Sequence, residues 1–217
     1  MNERHAEGSA GSSTSRPPRL VILGPPGSGK GTHAVQLAKR LSVPHISTGA
    51  LLRREIAART QLGREVGEAV RSGQLVTDEA IVELVERQIG SGAADDGWIL
   101  DGAPRTLGQA ELLAPLIEAN DPAIVIALDV DDDELRRRLR RRRDDEQRAD
   151  DDPSVVEDRL ALWADTGPRL LDRYARRGVL HRVDGSGTIP ETSLRVWATV
   201  EAATSADSSS GRGDRTQ

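Results

Sequence analysis

Phenylalanine and cysteine are both missing from this 217-residue chain, and rings are limited to one tyrosine and three tryptophans. Without cysteine there can be no disulfide framework and no thiolate metal site. With so few rings the core must be built from Leu, Val, Ile and Ala, and a 36% hydrophobic content suffices for the α/β core of one domain. Lysine occurs only at Lys30 and Lys39, while arginine is plentiful. No apolar run approaches the roughly 18 residues of a membrane span, and the first residues lack the apolar core of a signal peptide, so a soluble cytoplasmic protein is expected. A net charge of −5 argues against a general nucleic-acid binder. His5, His33, His45 and His181 are isolated in the sequence and read as structural or incidental, with no pair at metal-ligand spacing.

What is present is organised around residues 19–41, RLVILGPPGSGKGTHAVQLAKRL. An apolar segment (Leu20, Val21, Ile22, Leu23) passes through a glycine-rich turn to Lys30 and into a pattern with Ala34, Leu37, Ala38 and Leu41 on one helical face. Glycines allow successive backbone N–H groups to turn toward phosphate oxygens, the following helix adds the positive end of its dipole, and Lys30 supplies a full charge. The spacing from Gly24 to Gly29 and Lys30 is that of a P-loop, with Gly31 in the usual Ser/Thr place and the hydroxyl one residue later at Thr32.

Further strands are predicted at VPHIST, at WILD ending in Asp101, at AIVIALDV (residues 123–130) and at VLHRVDG, each separated from the next by helical patterns. That alternation predicts a P-loop NTPase fold: a doubly wound, parallel, five-stranded sheet with helices on both faces and ligands at the carboxyl ends of the strands. Leu107 to Glu118 reads as helix, as does the stretch from Asp131, whose acids precede its arginines as a helix dipole favours. DDEQRADDDPS reads as a short polar loop, followed by a helix from Val155 that Pro168 interrupts. Thr77 is an N-cap candidate, and Thr188, Pro190 and Glu191 form a capping-box start to a last helix. Residues 1–18 and 205–217 read as disordered tails around a domain at 19–204.

A P-loop alone leaves kinase, hydrolase and switch open. Phosphoryl transfer needs charge neutralisation and alignment more than covalent chemistry, and arginines supply both. Arg53 and Arg105 each follow a glycine-containing turn at a strand end; Arg142, Arg148 and Arg159 flank the polar loop. Arg136, Arg137, Arg140 and Arg141 read as solvated surface. Arginines on two sides of a P-loop suggest that water is excluded and a phosphate acceptor held.

GPPGSGKGT, HISTGALLR, SGQLVTDE, DGAPRTLGQAE, RADDD and EDRL, in that order and at matching intervals, resemble the adenylate kinases, specifically their short-lid form, over about Leu20 to Val200. GKGT is the usual form there, which accounts for Gly31. The resemblance implies a small helical NMP-binding insertion at about 47–77, a short lid at about 142–152, and reversible transfer from MgATP to AMP giving two ADP. It places Gly27, Ser28, Gly29, Lys30, Gly31 and Thr32 on the ATP phosphates, Arg138 on the ATP adenine face and Gly187 in backbone contact with that base. Thr48, Gly49, Arg53, Val76, Gly102, Arg105 and Gln109 would hold AMP, the arginines on its phosphate and the Gln109 amide on its adenine. Arg142, Arg148 and Arg159 resemble the clamp over the transferring group, with Arg148 and Arg159 also reaching AMP. Asp101 resembles the carboxylate that orders waters on Mg²⁺, with no direct protein ligand to the metal, and Asp150 and Asp151 resemble lid acids. A monomer acting on ATP, AMP and ADP, with no nucleic-acid or membrane partner, is expected.

Thr48 and Gln109 follow the adenylate pattern rather than that of pyrimidine-specific relatives. The sequence departs from the family at Ala50, usually Asp, at Ala103, usually aromatic, and at His33, where glutamine is common. An altered acceptor preference and a low-turnover regulatory protein are the alternative readings.

Overall fold

The computed structural model describes residues 17–71, 76–90, 97–118, 123–146 and 152–210. Five strands, β1 (Arg19–Leu23), β2 (His45–Ser47), β3 (Trp98–Asp101), β4 (Ile124–Asp129) and β5 (Leu180–Asp184), form one sheet in the order β2-β3-β1-β4-β5, and every pairing is parallel. The doubly wound parallel sheet expected from the sequence is therefore present, with β1 at its centre. Its helices are α1 (Lys30–Leu41), α2 (Thr48–Ala58), α3 (Gln61–Arg71), α4 (Asp78–Ile89), α5 (Leu107–Leu112), α6 (Ala114–Ile117), α7 (Asp132–Glu146), α8 (Pro153–Arg176) and α9 (Ile189–Ser210).

The unbroken apolar runs of β1, β3 and β4 follow from burial on both faces of the sheet. Alternate residues divide between two cores. Val21, Leu23, Leu100 and Val125 pack with Ile81, Val82 and Val85 of α4 and with Leu170 and Tyr174 of α8. Leu20, Ile22, Ile99, Ile126 and Leu128 pack on the other face with Ala34, Leu37 and Ala38 of α1 and with Val196 and Val200 of α9. A smaller cluster of Leu135, Leu139, Val156 and Leu160 joins α7 to α8. Trp98 and Tyr174 are the largest fully buried side chains, so the few rings the chain has carry core volume. Each aliphatic side chain buried this fully contributes about 1.5–3 kcal/mol.

Helix starts follow local signals. Thr77 accepts from the Ala80 N–H at 3.3 Å, and Thr188 and Glu191 close a capping box, the Glu191 carboxylate accepting from the Thr188 N–H at 2.8 Å.

Several boundaries differ from the sequence reading. Pro168 does not interrupt α8, which runs unbroken for 24 residues. The proline lacks the N–H that would bond the carbonyl four residues earlier, but Leu160, Leu170 and Tyr174 are buried on either side of it and tertiary packing outweighs the lost bond. The stretch from Leu107 to Glu118 is two short helices, because Pro115 starts a new one in the first turn of α6. Asp144 to Glu146 extend α7 rather than opening the polar loop. At the other end α9 continues to Ser210, beyond the Ser205 at which polar composition placed the tail.

Candidate active site

The turn between β1 and α1 lies at the carboxyl end of the central strand. Gly29 caps α1 in the left-handed region, at φ 94°, which a residue with a Cβ rarely adopts. Ser28 is fully buried and its N–H bonds the Pro25 carbonyl at 3.2 Å, tightening the loop. Lys30, the first residue of α1, folds back so that Nζ donates to the Gly24 and Pro25 carbonyls, each at 2.7 Å, with Ser28 Oγ at 3.4 Å. Thr32 is exposed on the first turn, and α7 lies against Gly27, where a Cβ would come within 2.9 Å of Leu139.

Burial strips water from the Lys30 ammonium and lowers its pKa to about 7. The anionic Asp101 opposes that shift, while Arg105, Arg159 and Arg142 reinforce it. Three arginines from separate elements, the β3–α5 turn, α8 and α7, thus act on one P-loop lysine. The structure brings together these members of the expected set; Arg148, Asp150 and Asp151 lie outside the described residues.

Asp101 ends β3, next to the central strand and 8% exposed. Burial alone would raise its pKa, but His45, Lys30 and Arg105 outweigh it and hold the carboxyl below the usual carboxylate range. Its Oδ2 accepts from Ser47 Oγ at 3.4 Å, lies 3.6 Å from His45 Nε2, and faces Gly31, where a Cβ would come within 3.3 Å. His45 is the neighbour that sequence reasoning missed. Its position two residues before Ser47 puts both side chains on one face of β2, but does not report the contact with Asp101 on β3.

The next turn assembles a second cluster. Gly102 takes φ 88°, and a Cβ there would meet Thr48 Oγ1 at 2.4 Å and Arg105 Nη2 at 3.5 Å. Only a glycine leaves room for Thr48 there. Thr48 Oγ1 donates to the Asp101 carbonyl at 3.4 Å, and Arg105 Nε donates to the Gly102 carbonyl at 2.8 Å. Arg53, one turn along α2, turns its guanidinium back over Gly49. Gln109 is 5% exposed and Val76 packs against the core beside α4. Ala103 is 1% exposed and belongs to that same core; the N–H of Ala50 bonds Ser47 Oγ, the N-cap of α2.

On the far side of the P-loop, Arg138 of α7 bonds Glu134 at 2.6 Å and the carbonyls of Gly185 and Gly187 at 3.0 and 3.2 Å. Two residues assigned to the ATP base are therefore in direct contact. His33, directly after Thr32, is buried and its Nδ1 lies 3.1 Å from Ser193 Oγ of α9. Burial, Arg138 and Arg195 lower its pKa. Of the arginines read as solvated surface, Arg137, Arg140 and Arg141 are exposed, Arg137 and Arg141 pairing with Glu134 and Asp145, whereas Arg136 is partly buried and bidentate to Glu157 at 3.0 and 3.2 Å.

A P-loop turn at the carboxyl end of the central strand of a parallel sheet, with arginines around its lysine and a second polar cluster one strand away, is the arrangement of a P-loop nucleotide phosphotransferase. The family model described as adenylate kinase matches residues 22–179. Among curated relatives, the adenylate kinase of Stenotrophomonas maltophilia strain K279a is 42% identical over 188 residues, which cover 85% of this chain and 100% of the relative. Those of Xanthomonas campestris pv. campestris strain B100 and Synechococcus sp. strain CC9311 are 42% and 41% identical over 180 residues, 82% of this chain and 96% of theirs. The chain belongs to the adenylate kinase family.

Proposed function

We propose that the protein transfers the terminal phosphoryl group of ATP to AMP, giving two ADP, as a cytoplasmic monomer. The observation that carries this reading is the P-loop Lys30 folded onto the Gly24 and Pro25 carbonyls beside the Asp101–Gly102–Arg105 turn, with Arg105, Arg142 and Arg159 bearing on its charge. An oxygen of the AMP phosphate forms a bond to the γ-phosphorus as the bond from that phosphorus to the β-bridging oxygen breaks, and the electron pair leaves with ADP. The nucleophile is already an anion, so no general base is needed. The residues align the two phosphates and stabilise the charge that spreads over the transferring group.

In this reading the backbone of Gly27 to Thr32 cradles the ATP phosphates and Lys30 exchanges its two carbonyl partners for phosphate oxygens. Arg138 and the Gly187 carbonyl frame the ATP base. Arg53 and Arg105 take the AMP phosphate, Thr48, Gly49, Val76 and Gly102 shape its pocket, and Gln109 meets its adenine. The buried, anionic Asp101 facing the first turn of α1 suits a magnesium ion held through water, since hard divalent cations take oxygen donors and magnesium keeps several waters. Such an ion, bound with ATP, would neutralise phosphate charge. Among the described residues no helix is long and apolar enough to cross a membrane.

The test is ADP formation from MgATP with AMP, beside CMP, UMP and GMP, repeated with Arg105→Ala. Turnover with AMP that the variant loses is the expected result. Turnover with another monophosphate alone would overturn the acceptor assignment, and ATP binding without turnover would overturn the reaction.

A further inference from the structure

Three hydrogen bonds at the start of α5 form a closed circuit, and a fourth anchors it to Arg105. The Gln109 N–H donates to Thr106 Oγ1 at 3.0 Å, and Thr106 Oγ1 donates to Asp78 Oδ2 at 2.8 Å. Asp78 Oδ1 accepts from Gln109 Nε2 at 2.9 Å, and Gln109 Oε1 accepts from the Arg105 N–H at 2.8 Å. Direction is forced throughout. A backbone N–H can only donate and a carboxylate can only accept, so the Gln109 amide has one permitted orientation: oxygen toward Arg105, nitrogen toward Asp78. Asp78 reaches this position because it opens α4 directly after the Thr77 cap and meets a glycine on α5: a Cβ at Gly108 would come within 2.4 Å of Asp78 Oδ2.

A primary amide has two donors and two acceptor lone pairs. These bonds use one of each, which leaves one N–H on the Asp78 side and one lone pair on the Arg105 side, in fixed order. A 6-aminopurine presents a ring-nitrogen acceptor at N1 beside an amino donor. A 6-oxopurine presents the reverse, an N1–H donor beside a carbonyl acceptor. An amide free to turn over could read either edge; a pinned one reads a single edge and sets donor against donor on the other. Such a mismatch leaves buried polar groups unpaired, which is the strong form of discrimination.

We infer that Asp78 is a positioning residue that sets the acceptor-base preference, by fixing, together with the Arg105 N–H, the Gln109 amide in the orientation that accepts a 6-aminopurine monophosphate and rejects a 6-oxopurine. This rests on the assignment of Gln109 to the acceptor base. It adds a residue, Asp78, that need not touch the nucleotide.

AMP and IMP differ only at that edge, so their kcat/KM ratio is the readout, with the full-length enzyme and saturating MgATP. Asp78→Ala narrows the AMP:IMP ratio about tenfold, mostly through a higher KM for AMP, with the KM for MgATP unchanged. Asp78→Asn keeps a carbonyl toward Gln109 and restores most of the ratio. Thr106→Val releases Asp78 without altering it and moves the ratio the same way by about threefold, and it decides the matter should Asp78→Ala fail to fold. An unchanged ratio in Asp78→Ala, or in Thr106→Val in that event, overturns the inference. Gln109→Ala separates the two levels: if it collapses the ratio while Asp78→Ala does not, only the role of Asp78 falls, and if it leaves the ratio intact the assignment of Gln109 falls too.

Discussion

Asp101 and Asp129 hold equivalent places, each the last residue of a strand paired to β1, one on either side of it. Their surroundings differ. Asp129 is bidentate to Arg182 of the next strand at 2.9 Å for both bonds, with the Asp129 side chain 42% exposed and that of Arg182 60%. Asp101 is enclosed, with His45, Lys30 and Arg105 favouring its charge. A bidentate pair satisfies a carboxylate within the protein. A carboxylate set among cations that also face the phosphate sites keeps charge for a ligand. Strand-end position marks where chemistry can happen, and the partner decides whether it does.

The widest separation between these two sides of β1 comes from Lys30→Ala, which reduces kcat/KM for the ATP-plus-AMP reaction by about 10²–10³-fold, as measured by coupled ADP assay. Asp101→Asn follows, with a loss of about 10–100-fold that added magnesium partly recovers; Asp129→Asn leaves steady-state rates at the wild-type value. Equal losses in the two aspartate variants would erase the distinction.

The pH dependence of stability sharpens it. A lysine whose pKa falls from the ordinary 10.5 to about 7 binds fewer protons folded than unfolded between those values, so its contribution raises stability as pH increases from about 7 toward 10. Lys30→Met abolishes that rise in urea titrations. Asp101 acts with the same sign in a lower window: its depressed pKa contributes stability above the usual carboxylate value that is lost as pH falls through the folded pKa. Asp101→Asn therefore flattens the acid limb of the stability curve. The smallest effect is that of Asp129→Asn on melting, within about 1 kcal/mol, because its ion pair is exposed.

Periodicity and turn chemistry made the sheet legible in advance: the apolar runs at β1, β3 and β4 admit few alternatives, and the glycine spacing before Lys30 placed the phosphate loop. Pro168 misled because propensity describes a lone helix, whereas α8 is held by side chains from distant parts of the chain. Motif order could suggest that Arg105, Arg142 and Arg159 converge, but it could not establish the meeting point, since each lies on a different element. His45 and Asp78 were harder still. Both act through a neighbour on another strand or helix, Asp101 in one case and Gln109 in the other, and no spacing within a single element reports such a contact.

The two carbonyls that meet Lys30 Nζ bear on the composition of the whole chain. The sequence uses arginine for almost all of its cations, one of two nominally exchangeable residues. At Lys39, near the exposed end of α1, the exchange would cost nothing visible in the fold. At residue 30 the oxygens converge on a point, which suits a compact ammonium on a flexible stem and not a planar fork. At residue 30 the fold asks for a shape as well as a charge.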